Sequence, residues 1–256
     1  MQAYGRTMRN FPISFWHLPG LEQRLVWSSS TGRDEAVLAE LPPAWRLLML
    51  SDGSATRSLT LLTGESIAAE VKEAAEIADD RNAPPELALL AKPHLRRTVV
   101  LKTRSGTPVS YAVSWWNTQD YGGFLKNPAL PIGTNMKQAQ SEYCREICSL
   151  FLASGAHLDQ RFRSQGPYLG RHYVMRHANR PLNVIVEIYA PAIAYHLDST
   201  GWYPRWTNGA PTWNDVDAIA ADDNVARPNF SLKSMRRTAA GSSGFAELAP
   251  RRHSLH

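Results

Sequence analysis

The sequence predicts an α+β fold built on a single antiparallel sheet flanked by helices, and three observations carry that prediction. Residues 97–103 and 109–116 read as two strands joined across Gly106. Residues 168–177 and 182–189 read as two more, joined across Ala178-Asn179-Arg180. Strands that follow one another through hairpins, with few crossover helices, pair antiparallel. The third observation concerns charge. Strand alternation puts Arg97 on one face with Val99 and Leu101, and Glu187 with Ile185 and Tyr189. A guanidinium or carboxylate aimed into an apolar layer is costly unless it is paired. Either the two form an internal ion pair between neighbouring strands, or they mark a binding site whose ligand supplies the missing charge.

The remaining elements follow in chain order. Residues 1–44 hold Tyr4, Phe11, Phe15, Trp16 and Trp27 without clear periodicity and read as an extension packed on the body. Trp45–Leu50 is a short helix or strand that leads into the polar loop Ser51-Asp-Gly-Ser-Ala-Thr56. A hairpin is expected next, with strands at 59–62 and 66–72 around Thr63-Gly64-Glu65. Residues 68–80 are also rich in helix formers. Ala83-Pro-Pro85 breaks whatever precedes it. Residues 134–153 read as a helix, with Thr134 as its N-cap, Met136, Ala139, Tyr143, Ile147, Leu150 and Phe151 at helical spacing, and Gly155 as its stop. On that helix Cys144 and Cys148 share a face, as buried thiols rather than a disulfide or half a metal site. No metal is expected. Residues 196–256 form a C-terminal extension that becomes rich in Trp, Pro and Asn.

Composition bounds the function. The chain has 256 residues, 43% of them hydrophobic, enough for one ordinary domain with extensions. Its apolar runs fall short of the roughly 20 residues that span a bilayer, and its start lacks an apolar signal core, so no membrane is expected and the location expected is cytoplasmic. The net charge is +5. Arg227, Lys233, Arg236, Arg237, Arg251 and Arg252, against Glu247, place that excess in 226–256 and leave 1–225 balanced. This reads as a solvated, disordered basic tail, with no nucleic-acid partner expected. Composition leaves the oligomeric state open, a monomer among the possibilities.

Five segments in order carry a resemblance. They are Leu47-Leu-Met-Leu-Ser-Asp-Gly-Ser-Ala-Thr-Arg-Ser58, Arg97-Thr-Val-Val-Leu-Lys102 with the turn 104–108, Tyr111-Ala-Val-Ser-Trp-Trp116, Leu130-Pro-Ile-Gly133 and Glu187-Ile-Tyr-Ala-Pro191. The set resembles the chorismate lyase (chorismate pyruvate-lyase) family, with its mycobacterial branch and its cyanobacterial and plastid relatives, over residues 45–195. The resemblance implies a chorismate lyase-like domain whose ligand is enclosed under helical flaps. It implies a carbon–oxygen lyase that eliminates pyruvate from chorismate to give 4-hydroxybenzoate, a ubiquinone or plastoquinone precursor, with no cofactor. Arg97 matches the arginine that binds the ring carboxylate, with Arg96 as the alternative if the register slips by one. Glu187 matches the glutamate at the other end of the ligand. Ala55, beside Thr56, and Ile132, before Gly133, match loop positions that touch the ligand, and Thr56 and Arg57 read as polar anchors of their loop or as part of a helix cap. The resemblance departs at 111–117, where better-known bacterial enzymes carry a further arginine. A binding module for an aromatic carboxylate on the same fold is the alternative.

Overall fold

The computed structural model describes residues 16–30, 38–39, 41–78, 80–197, 203–207 and 210–214. Tyr4, Phe11, Phe15 and the basic tail lie outside the described residues. In chain order the elements are β1 (Glu22–Ser28), α1 (Pro43–Leu50), α2 (Ala55–Thr63), β2 (Ile67–Ile77), a 3-10 turn (Pro85–Leu89), β3 (His94–Thr103), β4 (Pro108–Asn117), α3 (Thr118–Phe124), α4 (Ile132–Gln138), β5 (Tyr143–Ser154), α5 (Ala156–Phe162), β6 (Tyr168–His177), β7 (Arg180–Tyr189), α6 (Ala192–His196), β8 (Tyr203–Thr207) and β9 (Ala210–Asn214). Seven strands form one antiparallel sheet in the order β1-β5-β6-β7-β4-β3-β2, and β8 pairs with β9. No helix among the described residues is long and apolar enough to cross a membrane.

Both expected hairpins form. β3 pairs with β4 so that Arg97 faces Ser114 and Val99 faces Ala112. β6 and β7 turn at Ala178 (φ 47°) and Asn179 (φ 62°), two left-handed residues whose twist suits a tight hairpin. β1 comes from the segment read as an extension and pairs with β5 at the edge. The opposite edge, β2, carries Glu70, Lys72, Glu73 and Glu76, charges that discourage pairing with another chain.

Two elements differ from expectation. Residues 55–63 are helical, not the first strand of a hairpin. Ser54 caps the first turn by accepting from the Arg57 N–H, and Gly64 ends the helix at φ 69°. The signature read as a hairpin turn is therefore a helix C-cap, and Ala55, Leu59 and Thr63 recur on its buried face. The expected helix over 134–153 is instead the short α4, begun at Ile132 after Pro131, followed by the strand β5. β5 is buried on both faces over its second half and carries a bulge between Ile147 and Ser149. Two-sided burial removes the polar alternation that marks a strand, and the bulge shifts its phase, so the apolar spacing imitates a helix. Cys144 is accordingly exposed rather than buried, and Cys148 is half-buried. Gly155 stands before α5 rather than ending a helix.

Both sheet faces are covered. On one lie Trp45, Leu48 and Met49 of α1, Leu59 of α2 and Ile193 of α6, against Val99, Leu101, Leu169 and Tyr189. On the other lie Leu87 and Leu90 around the 3-10 turn and Leu158 and Phe162 of α5, against Trp115, Val184, Val186 and Ile188. Between strands, Gly170 lets the Phe151 ring cross β6. A Cβ there would lie 2.5 Å from Phe151 Cε2 and Cζ and 3.1 Å from the Glu187 carbonyl oxygen. Gly170→Ala should therefore destabilise the protein by about 1–3 kcal/mol, read as a lower urea midpoint at unchanged slope. An unchanged midpoint would mean the ring has room to move.

Candidate functional site

The face covered by α1 and α2 contains a cavity whose floor is the centre of the sheet. Its lining includes Arg97, Val99 and Leu101 of β3, Ala112 and Ser114 of β4, Ile185 and Glu187 of β7, Tyr173 of β6 and Arg145 of β5. Arg97 and Glu187 flank β4, two strand spacings or roughly 10 Å apart across the sheet. The β4 residues between them on this face, Ala112 and Ser114, are small and leave that span open. The opposite wall is the first turn of α2, with Ala55 and Thr56, and the segment Pro131, Ile132 and Gly133. The two parts of this wall touch closely: a side chain at Gly133 would run into Ser54 Oγ, the cap of α2. The room inside is about 30 Å3.

Arg97 is 1% exposed. Its Nη2 donates to the carbonyl oxygens of Pro128 (2.9 Å) and Leu130 (3.1 Å), and its Nε has no partner. No carboxylate among the described residues pairs with it. Burial therefore pulls its pKa below the ordinary guanidinium value, against a smaller opposing effect of the Tyr121 hydroxyl. The carbonyls it holds belong to a loop fixed from the other side by buried Asn135, which accepts from the Asn127 N–H and donates to the Asn127 carbonyl, both at 2.9 Å. Arg96 points to the other side of β3, where it meets Glu73 and Asp80. The register of the sequence reading thus holds, and Arg97 is the arginine on the cavity face.

Glu187 is paired, but not with Arg97. Its Oε2 accepts from Arg171 Nε at 2.8 Å and from Tyr189 Oη at 2.9 Å and forms an ion pair with Arg171 Nη2 at 2.8 Å; its Oε1 accepts from Tyr173 Oη at 2.9 Å. The ion pair weighed between Arg97 and Glu187 does not form, because β4 lies between their strands; the cation is instead Arg171, directly opposite Glu187 on β6. Burial alone would raise the Glu187 pKa. The charges of Arg171 and Arg145, with hydrogen bonds from Arg171 and Tyr189, outweigh burial and leave it below the ordinary carboxylate value. The carboxyl is thus held ionised, contrary to a burial-raised proton affinity. Burial and the Glu187 charge push the Tyr173 and Tyr189 hydroxyls upward, so both remain neutral donors.

Arg171 also fixes the cover. Its Nη1 donates to the carbonyls of Leu48 (2.8 Å), Met49 (3.3 Å) and Ser51 (3.2 Å), the unsatisfied end of α1. Arg145 is 8% exposed, donates from Nη1 to the Asp52 carbonyl (3.2 Å) and lies 5.2 Å from the Tyr173 ring centroid, with Nε unpartnered. The carboxylate whose charge acts on it is the same Glu187, which Arg171 already pairs. Arg171 and Arg145 thus share one carboxylate and Arg97 has none, an excess of two positive charges around the cavity.

Arg97, Glu187, Ala55, Thr56 and Ile132, the five residues singled out from sequence, line this one cavity, whereas Arg57 is exposed and outside its lining. Arg145, Arg171, Tyr173 and Tyr189 were not singled out. Arg145 fell inside the supposed helix, and Arg171 sits beside His172, so neither face of that strand stood out as wrongly polar.

Such a site defines a small-molecule-binding α+β domain whose cavity suits an anion. The chain belongs to the family described as chorismate pyruvate-lyase Rv2949c-like, which it matches over residues 49–197. It is 29% identical over 153 residues to the uncharacterized protein ycf21 of Porphyra purpurea, covering 60% of this chain and 84% of that relative. It is 30% identical over 150 residues to ycf21 of Cyanophora paradoxa, covering 58% and 78%. Among solved structures it is similar to the effector domain of PhnF from Mycobacterium smegmatis, at 16% identity and a TM-score of 0.44 over 56% of this chain and 91% of that domain. It spans 66% of a longer PhnF chain at 15% identity and a TM-score of 0.44.

Glu187→Gln leaves Arg171 buried without its counter-charge and should cost about 3–5 kcal/mol in urea unfolding at neutral pH. Because the folded-state pKa of Glu187 is depressed, its stabilisation is present above the ordinary value of 4.5 and lost as pH falls through the lower folded value. The variant should therefore lose less stability than the parent on acidification below about 4.5. Equal losses would contradict the assignment.

Proposed function

We propose that this protein is a chorismate pyruvate-lyase, forming 4-hydroxybenzoate and pyruvate. The observation that carries the proposal is Arg97, a buried guanidinium with no acidic partner, facing across small residues toward a buried, ionised carboxylate. Chorismate is a dianion with a ring carboxylate, an enolpyruvyl carboxylate and a ring hydroxyl, and the unpaired charge around the cavity is two positive. Arg97 clamps the ring carboxylate, and Arg145 neutralises the second one. Glu187 Oε1, which has Tyr173 as its partner, keeps a lone pair that accepts from the ring hydroxyl.

In the reaction the ether bond between ring and enolpyruvyl group breaks as the hydroxyl-bearing ring carbon loses its proton. The electrons of that C–H bond complete the aromatic ring, and the enolpyruvate methylene gains a proton to become pyruvate. Aromatisation makes this downhill, so the residues contribute mainly one fixed conformer and neutralised charge. A carboxylate held ionised orients the hydroxyl rather than donating a proton. The free space is too small for the ring as it stands, so the α2 end and the 131–133 segment part to admit it and act as the flaps.

A second reading, a binding module that turns nothing over, is favoured by one observation: three hydrogen bonds and an ion pair already engage Glu187, leaving it little freedom for proton transfer. Purified protein incubated with chorismate should release pyruvate and 4-hydroxybenzoate in equal amounts above the uncatalysed background. Binding of both compounds by calorimetry without pyruvate release would establish the module instead. Arg97→Ala should weaken chorismate binding by about 2–5 kcal/mol. Unchanged kinetics would remove Arg97 from the site.

A further inference from the structure

On the sheet face turned away from the cavity, three side chains that the proposed reaction does not use converge. Glu86 comes from the 3-10 turn, Cys148 from β5 and His172 from β6, and their ligand atoms all lie within 4.8 Å of one another. The β5 bulge creates the meeting: Ile147 faces Tyr173 and Ser149 faces His172, so Cys148 is the extra residue. Ile147 packs on the cavity side, whereas Cys148 packs with Leu87, Leu90 and Val174 on the other. A regular strand would not put Cys148 and Ser149 on the same face beside His172.

The polar atoms are poorly served without a further partner. His172 is 2% exposed, and its Nε2 lies 3.1 Å from Glu86 Oε2, an ion pair with the ring protonated whose angle is poor for a hydrogen bond. Nδ1 of the same ring is 3.3 Å from Ser149 Oγ. With its proton on Nδ1 and donated to that hydroxyl, His172 turns the Nε2 lone pair toward the Glu86 carboxylate, the tautomer and outer partner that metal-bound histidines use. The Cys148 thiol donates weakly to the Glu146 carbonyl at 3.3 Å. Burial, then the Glu86 charge, push its pKa up, which argues against a nucleophile and is reversed by a cation.

We propose that Glu86, Cys148 and His172 form a zinc site that fastens the Pro85–Leu89 turn to the back of the sheet. An imidazole nitrogen, a thiolate and a carboxylate are a donor set for this borderline-soft ion, with water as the fourth ligand. The site lies on the opposite face from the cavity and is independent of the lyase reading.

Chelator-treated full-length protein is titrated with Co2+ as the probe. One equivalent should bind, giving the visible bands of a tetrahedral site and a thiolate-to-cobalt band in the near ultraviolet, all bleached by Zn2+. Cys148→Ser and Glu86→Gln should each weaken binding by more than the roughly 10–100-fold that an outer partner is worth, and Cys148→Ser should abolish the thiolate band. Cys144→Ser, at the exposed cysteine, should change neither. Zn2+ should raise the melting temperature of the parent protein but not of Cys148→Ser. Absence of stoichiometric uptake by the parent, or an unchanged spectrum in Cys148→Ser, overturns the proposal.

Discussion

Unequal charge inside the sheet is the constraint on which the rest of the site depends. Arg97, Arg145 and Arg171 are buried on one face, and the single carboxylate there, Glu187, serves Arg171 and Arg145 but not Arg97. Buried ions persist only when each is hydrogen-bonded on several sides, and here those bonds shape the cover. Arg171 holds the end of α1, which delivers the chain to Ser54 and the first turn of α2. Arg97 holds the carbonyls of Pro128 and Leu130, which place Ile132 and Gly133. The cations that make the cavity positive are therefore also the posts on which its wall stands.

The sheet supplies the geometry. In the order β3-β4-β7-β6, cross-strand register puts Val99, Ala112, Glu187 and Arg171 in one row and Arg97, Ser114, Ile185 and Tyr173 in the next. Small residues at Ala112 and Ser114 turn what would be a filled layer into a floor. Ion pairing along the first row satisfies Glu187, whereas the second row leaves Arg97 with carbonyl partners alone. Carbonyls offer partial charge where a carboxylate would offer a full one, so the site is hydrogen-bonded and still electrostatically incomplete.

The sequence made the central hairpins and the Arg97–Glu187 pair legible because a charge on the apolar face of a strand breaks an otherwise clean alternation. The same logic could not find Arg171: with His172 next to it, both faces of β6 carry a polar residue and neither stands out. Arg145 was hidden by the β5 bulge, which shifts the strand phase in mid-course and lets Tyr143, Ile147, Leu150 and Phe151 fall at helical spacing. α2 was obscured because a glycine after a threonine serves equally as a hairpin turn and as a helix C-cap, and only the tertiary burial of Ala55, Leu59 and Thr63 separates the two. Glu86, Cys148 and His172 lie too far apart in the chain for any spacing rule to join them.

Two unmatched buried cations favour a ligand with two negative charges over one with a single charge. Titration calorimetry at constant ionic strength, comparing chorismate with the monoanion 4-hydroxybenzoate in the parent and in Arg145→Ala, tests it most directly. The parent should prefer the dianion by at least about tenfold, or 1.4 kcal/mol, and Arg145→Ala should remove most of that preference while still binding the monoanion through Arg97. Equal affinities in the parent, or a preference that survives in Arg145→Ala, would contradict it.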